Sequence, residues 1–317
     1  MALTMDYREV QEPILSLLNG TETILTREIG SRVDLIAELG RHTPIGKGKK
    51  IRAAFFFLLA RMNSVRSGDL PTLGAAIEML HLSSLVHDDI IDHSTRRRGQ
   101  KTPNHHFGDT LSVLWGDFLF ISSIRMLTRA GRADAVDMLA EASRRMIEGQ
   151  ILEFANNFNY RLGARTYYDI IRRKTASLFG GIAELAAGLP GGNAGCEQAF
   201  RRFGRDFGMI FQISDDLLDL FSERSGKGRF QDLKEGKVTL PYILLIEGGA
   251  LPLIRAFDRS RPGPLLQRCR RLEIQERSLA VIDRYSRRCL GFLRSFPHSR
   301  YRDSLEALLD FIRYREY

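Results

Sequence analysis

Two short acidic boxes constrain this chain more than any other feature. His87-Asp88-Asp89-Ile90-Ile91-Asp92 has a counterpart far downstream in Ser214-Asp215-Asp216-Leu217-Leu218-Asp219. Each places carboxylates at i and i+4 of an apolar, helix-forming run, so Asp88 and Asp92 share one helix face, as do Asp215 and Asp219. Like charges at that spacing repel. A solvated acidic face would explain one such box. Two boxes in equally apolar settings instead ask for a cation held by oxygen ligands, Mg²⁺ above all.

The pattern around the boxes is helical. Ile14, Leu17, Leu18, Ile24, Leu25, Ile29, Val33, Ile36 and Leu39 keep a three-and-four spacing that ends at Gly40 and Pro44. A glycine-rich basic loop, Ile45 to Arg52, opens into an apolar helix from Ala53 to Met62. The next helix follows Leu70-Pro71-Thr72 and runs through the first box to about His93. Further helices are expected over 111–129, 133–157, 167–188 and 196–221, the last carrying the second box, and amphipathic helices close the chain after a linker from Arg259 to Pro264. Sustained strand alternation with hairpin dipeptides is absent. The expectation is therefore all-α: residues 1–317 as one large antiparallel helical bundle around a central cavity, with the acidic faces looking at each other across it.

Composition matters where it bears on partners. A net charge of +9 invites a nucleic-acid reading, yet from Arg255 to Tyr317 fifteen arginines stand against eight acids, so most of the excess lies away from the boxes. It reads as a basic face on C-terminal helices, either solubilising or turned to anionic lipid. No nucleic-acid partner is expected, and at most peripheral membrane contact. Cys196, Cys269 and Cys289 lack metal-ligand spacing and suit a reducing compartment. No basic n-region is followed by an apolar core, no stretch approaches the length of a membrane span, and a cytoplasmic location is expected.

The sequence also supplies cations: Lys49, Arg52, Arg97, Arg98, Lys174, Lys227 and Lys237. Lys49 and Arg52 sit where a helix N-terminus offers backbone N–H groups, an arrangement that suits phosphate. Taken alone, that loop reads equally well as an ordinary basic turn. It is not a Walker loop, since the spacing and the Lys-Ser/Thr ending are missing. So many cations and carboxylates together make sense if metal-bound diphosphates lie between them. No Ser/His/Asp or Cys/His nucleophile arrangement is evident.

In order and spacing, these motifs resemble the all-α trans-prenyl diphosphate synthases, most of all the long-chain bacterial members, from Gly48 to Pro241. Gly48-Lys49-Lys50-Ile51-Arg52 looks like the family's isopentenyl diphosphate loop, and Asp88 to Asp92 with Arg97-Arg98-Gly99 like its first aspartate-rich motif. Lys174-Thr175, Phe211 to Asp219, Gly226-Lys227 and Asp232 to Pro241 complete the set. The resemblance implies Mg²⁺, three ions per site, with Asp88, Asp92 and Asp215 as direct ligands and Asp89, Asp216 and Asp219 acting through metal-bound water or hydrogen bonds. It implies that Arg97, Lys174, Lys227 and Lys237 hold an allylic diphosphate (geranyl, farnesyl or geranylgeranyl), and that Gly48, Lys49, Arg52, His81 and Arg98 bind isopentenyl diphosphate. Thr175 and Gln212 would turn oxygen dipoles toward the developing allylic cation. A homodimer is implied as well.

Chain length is read from the residues ahead of the first box. Relatives that stop at fifteen carbons carry a bulky aromatic where this chain has Ser83 and Ser84, which implies an open tunnel and a product of twenty carbons or more, with Leu80, Ile77 and Trp115 as candidate walls. Trp115 is large for its place before Gly116-Asp117 and would shorten the product if it lined the tunnel. Ala53 stands where many relatives have proline, Lys50 replaces an arginine, and His93 replaces a frequent acid. Four other readings compete: a class I terpene cyclase, an HD-type phosphohydrolase, a nucleic-acid-binding helical protein, and an inactive subunit of a heteromeric synthase. The form of the second box argues against the first, the missing further ligands against the second, the boxes themselves against the third, and intact metal ligands against the fourth.

Overall fold

Thirteen residues out from the N-terminus the helical striping is already at work, burying Val10 and Ile14. The computed structural model describes residues 7–43, 48–97, 99–193, 195–222 and 229–314. Its helices are α1 (Tyr7–Gln11), α2 (Leu15–Glu28), α3 (Asp34–His42), α4 (Ile51–Met62), α5 (Leu70–Ile91), α6 (Pro103–Phe107), α7 (Asp109–Arg129), α8 (Ala133–Ala155) and α9 (Ala164–Ile171). They continue as α10 (Ser177–Gly188), α11 (Glu197–Phe221), α12 (Gln231–Glu235), α13 (Leu240–Glu247), α14 (Leu251–Arg255), α15 (Gly263–Arg271), α16 (Ile274–Arg294) and α17 (Arg300–Arg313). A π-helical turn, Arg172–Ala176, joins α9 to α10. The described strands, β1 (Arg96–Arg97) and β2 (Gln100–Lys101), make a minimal antiparallel hairpin after the first box, which the sequence reading did not anticipate. The fold is all-α.

The chain falls into two compact units. One is drawn from Met1–Glu141, Gly181–Arg201 and Phe296–Ala307, the other from Ala142–Gly180, Arg202–Ser295 and Leu308–Tyr317. In the first unit α4 is the central helix, buried from Ala53 through Ala60 with Phe55, Phe56 and Phe57 wholly enclosed, as a helix apolar all round must be. Gly74 on α5 lets the Phe57 ring lie against its backbone, where an added Cβ would meet that ring at 2.3 Å. Next along α5, the Ser83 hydroxyl donates to the Gly116 carbonyl at 2.8 Å, joining α5 to α7. Trp115 packs the other way. Its indole N–H donates to Thr43 Oγ1 at 2.8 Å and its ring stacks on Phe118, so it fills the corner between α7 and α3.

Two boundary expectations are corrected. The run from Val10 to Leu39 is not one helix: α2 stops at Glu28, and Ser31 Oγ accepts the Val33 N–H at 3.1 Å, a local bond that competes with helix continuation beside Gly30. The expectation that no stretch approaches a membrane span is also corrected. By length and composition α7 is long and apolar enough, with 44% of that window buried. Asp117 and Arg125 masked this in the sequence. Its inner face packs on α5, which accounts for much of its apolar character.

In the second unit, Phe203 stacks on Phe292 at 4.6 Å and Phe179 lies against Phe207 at 5.2 Å, tying α11 to α16 and α10 to α11. Part of the basic C-terminal surface is paired internally, since Arg288 holds both oxygens of Asp206 at 2.7 Å and Arg313 reaches Asp283 at 2.6 Å. The close contact at Gly74 is open to test. Gly74→Ala overpacks the Phe57 contact and should lower unfolding stability by about 1–3 kcal/mol, read from urea midpoints. An unchanged midpoint would show that the ring can move aside.

Candidate active site

The first box closes α5. Asp92 is the capping residue, and its N–H still bonds the Asp88 carbonyl at 2.8 Å, so the two carboxylates keep their one-turn spacing. Asp88 and Asp92 are half-buried, whereas Asp89 is buried. Arg97 clasps Asp89: its Nε lies 2.8 and 2.9 Å from the two carboxylate oxygens, and an Nη at 2.7 Å. The hairpin supplies Arg97, turning at Gly99, whose φ of +77° suits glycine. Asn104 Nδ2 then fastens the exit of the box, donating to the carbonyls of Asp89 (3.2 Å) and Ser94 (3.1 Å). The charge of Asp89 is therefore met by Arg97.

The basic loop is more committed than its sequence implies. Lys50 takes a left-handed backbone, φ 49°, and its ammonium pairs with Glu22 at 2.5 Å. The Lys49 carbonyl accepts from Tyr7 (2.6 Å) and Gln11 (3.1 Å), and its side chain is exposed. At the start of α4 the Ala53 N–H donates to the buried carboxylate of Glu78 at 2.9 Å. One of the backbone donors expected there is thus already engaged. A proline in place of Ala53 would have no N–H to satisfy; with alanine present, Glu78 meets the need. His81 is half-buried on α5, and its carbonyl takes the Ser84 hydroxyl at 2.8 Å. Ile77, Leu80 and Ser83 are buried on the same helix. Arg98 and Lys227 lie outside the described residues.

The second box carries the denser chemistry. Asp216 is buried and receives two hydrogen bonds, from the Tyr167 hydroxyl at 2.5 Å and from Gln212 Nε2 at 2.9 Å. The Gln212 carbonyl in turn accepts the Thr175 hydroxyl at 2.6 Å. Asp219 accepts the backbone N–H groups of Gln231 (2.8 Å) and Asp232 (3.2 Å) at the start of α12. Lys174 pairs with Glu153 at 2.5 Å and Lys237 with Glu235 at 2.6 Å. Tyr167, Glu78 and Glu235 were missed by sequence reasoning. The placement of Lys174 and Thr175 depends on the π turn, packed between two glycines: an added Cβ at Gly149 would meet the Lys174 nitrogen at 2.5 Å, and one at Gly208 the Ala176 Cα at 2.6 Å. A π turn inserts an extra residue into the helix and re-aims its neighbours.

Three carboxyls in this unit are held above their ordinary range. Burial pushes the Asp216 carboxyl up to about 7, with Asp215 and Glu153 adding to the rise against the hydrogen bonds from Tyr167 and Gln212. Burial likewise raises Asp219 to about 6, against its two backbone donors. Asp232 is driven well above the carboxylate range by burial and then by Asp219 and Asp216. The donor set is all oxygen, hard and anionic, and suits a divalent cation such as Mg²⁺ or Ca²⁺.

A family model described as Polyprenyl synthetase matches residues 33–252, a span that takes in both boxes. The chain belongs to the polyprenyl synthetase family. The octaprenyl diphosphate synthase of Escherichia coli is 34% identical over 247 residues, covering 77% of this chain and 76% of that one. Component 2 of the heptaprenyl diphosphate synthase of Bacillus subtilis is 30% identical over 313 residues, covering 95% and 90%. Among solved structures, a polyprenyl synthase from Caulobacter crescentus, complexed with calcium and isoprenyl diphosphate, superposes with a TM-score of 0.89 at 28% identity over 100% of both chains. The chain is an enzyme of the prenyltransferase class, as these relatives are named.

The raised carboxyls carry a prediction. A folded value above the unfolded one, about 4, means stability that is fully present below that value and lost as pH rises through the folded values. For Asp216 and Asp219 the loss spans about pH 4 to 7. In EDTA the thermal midpoint should therefore fall across that window, and Asp216→Asn should flatten the fall. A midpoint that rises steadily instead would contradict the assignment.

Proposed function

We propose that this polyprenyl synthetase family enzyme condenses isopentenyl diphosphate with an allylic diphosphate, in the 1′-4 trans sense, and depends on Mg²⁺. The observation that carries the reading is the second box, where a buried Asp216 and a half-buried Asp219 are raised toward neutrality and the donor atoms are all oxygen. Asp88, Asp92 and Asp215 would hold the metal, three ions per site by the family resemblance. When bound, Mg²⁺ would offset the negative charge that builds on the departing pyrophosphate.

The roles of the chain's own residues follow from their bonds. Asp89 would orient Arg97 toward a diphosphate, Glu153 would do the same for Lys174, and Glu235 for Lys237, each acid keeping a long side chain in place. Thr175 gives its hydroxyl proton to Gln212, so what it offers elsewhere is an oxygen lone pair, suited to a developing allylic cation. Tyr167 and Asp216 fix the Gln212 amide that receives this bond. Lys49, Arg52 and His81, with Arg98 beyond the described residues, would bind isopentenyl diphosphate. Apolar surroundings keep water from capturing the cation.

A product of twenty carbons or more is supported by Ser83 and Ser84, which leave α5 without an aromatic ahead of the box, and by relatives named for hepta- and octaprenyl products. Pairing of two copies is supported by an apolar stripe on and just after α8: Ile147, Ile151, Phe154 and Phe158, spaced four, three and four, are 57–66% exposed. We propose a homodimer located in the cytoplasm. The Bacillus relative's name favours one alternative, a subunit that works only with an unlike partner.

One assay separates these readings. The purified chain alone, given isopentenyl diphosphate, a farnesyl or geranylgeranyl primer and Mg²⁺, should make elongated diphosphates, and Asp88→Ala or Asp215→Ala should cut the rate by roughly 10²-fold or more. No product without a second protein would favour the heteromeric reading. Ser84 is half-buried with space that buried Ser83 lacks. Ser84→Phe should therefore shorten the product while the protein stays folded, and an unchanged product size would show that the tail takes another path.

A further inference from the structure

Apart from both acidic boxes, the first unit gathers Glu38, His42 and His106. Glu38 and His42 stand one turn apart on α3, and His106 lies on α6. One possible ligand atom from each, a carboxylate oxygen and two ring nitrogens, lies within 4.8 Å of the others. The two imidazoles stack with centroids 4.3 Å apart and planes 19° from parallel, so one ring turns before both nitrogens face one ion. Phe107 sets its edge against both rings, at 5.2 and 4.6 Å, and so shelters one side of the pair.

A bond within α3 decides the tautomer. His42 Nδ1 lies 3.0 Å from the Glu38 carbonyl, an oxygen that can only accept, so Nδ1 carries the proton and Nε2 keeps its lone pair. Metal-bound histidines are oriented in the same way, by a carbonyl or carboxylate on the far nitrogen. Two imidazoles and one carboxylate, with His106 exposed to solvent, are the ligands of an open four-coordinate zinc site. Mg²⁺ prefers oxygen alone, so this cluster would select a different metal from the boxes.

We propose that Glu38, His42 and His106 form a second metal site, selective for Zn²⁺ and its late first-row neighbours, with water as the remaining ligand. The metal would staple two thinly anchored helices, since Leu39 is the buried residue of α3 and Pro103 that of α6. Each helix leads on to the prenyl site. Thr43, next to His42, accepts the Trp115 indole, and Asn104, two residues before His106, holds the carbonyls of Asp89 and Ser94. Zinc would thus stiffen the exit of the first box from outside it.

Co²⁺ serves as the spectroscopic probe, added to the full chain in excess Mg²⁺ so that oxygen sites are filled. One equivalent should give the visible bands of four-coordinate cobalt, and Zn²⁺ should bleach them. Zn²⁺ at a hundredfold excess over its dissociation constant should raise the thermal midpoint by about 4 °C. His106→Gln, at an exposed position, and Glu38→Gln should lose both signals with circular dichroism unchanged, while Asp88→Asn keeps them. Bands that never appear, that persist in His106→Gln, or that vanish in Asp88→Asn would overturn the site.

Discussion

Carboxylates gathered around the second box, with Asp216 buried and Asp216, Asp219 and Asp232 all raised toward neutrality, set the terms for the rest of this structure. Around the second box, Asp215, Asp216, Asp219, Asp232, Glu153 and Glu235 are served by Lys174 and Lys237 among the groups paired with them. Neighbouring groups manage that crowding. Tyr167 and Gln212 donate to Asp216, the start of α12 donates two N–H groups to Asp219, and what these cannot offset appears as carboxyls raised toward neutrality. A buried charge left unmatched costs several kcal/mol after relaxation. A fold that keeps this arrangement keeps it for an added divalent cation.

The same constraint explains the backbone irregularities nearby. A regular helix through residues 172–176 would not carry Lys174 to Glu153 and Thr175 to Gln212 together; the π turn does, and Gly149 and Gly208 allow α8 and α11 to approach it closely. In the first unit the two-residue hairpin brings Arg97 back onto Asp89, leaving Asp88 and Asp92 as the box's half-buried pair. In each unit the buried acid of the box is held by protein side chains, Asp89 by Arg97 and Asp216 by Tyr167 and Gln212.

What was legible in the sequence is what repeats at helical spacing. The all-α class, the carboxylates at i and i+4 and the order of the basic motifs all lie along the chain and can be counted there. Partners met only through folding were not legible. Nothing local marks Tyr167, 49 residues before Asp216, as its donor. Glu78 sits inside an apolar run and reads as an interruption until α4 presents the Ala53 N–H to it. Trp115, a candidate tunnel wall, carries no local mark of its bond to Thr43, 72 residues away in the chain. The break after α2 was missed because the three-and-four stripe carries on through Ile29 and Val33 although the helix does not, Ser31 capturing the Val33 N–H.

The central claim, that these acidic boxes exist to hold a metal-bound diphosphate, is tested most directly by calorimetry with Mg²⁺ and inorganic pyrophosphate. Binding of each should tighten the other by the same factor, because the coupling is reciprocal, and Asp215→Ala should abolish that mutual effect. Pyrophosphate that binds as tightly in EDTA as in Mg²⁺ would contradict the account.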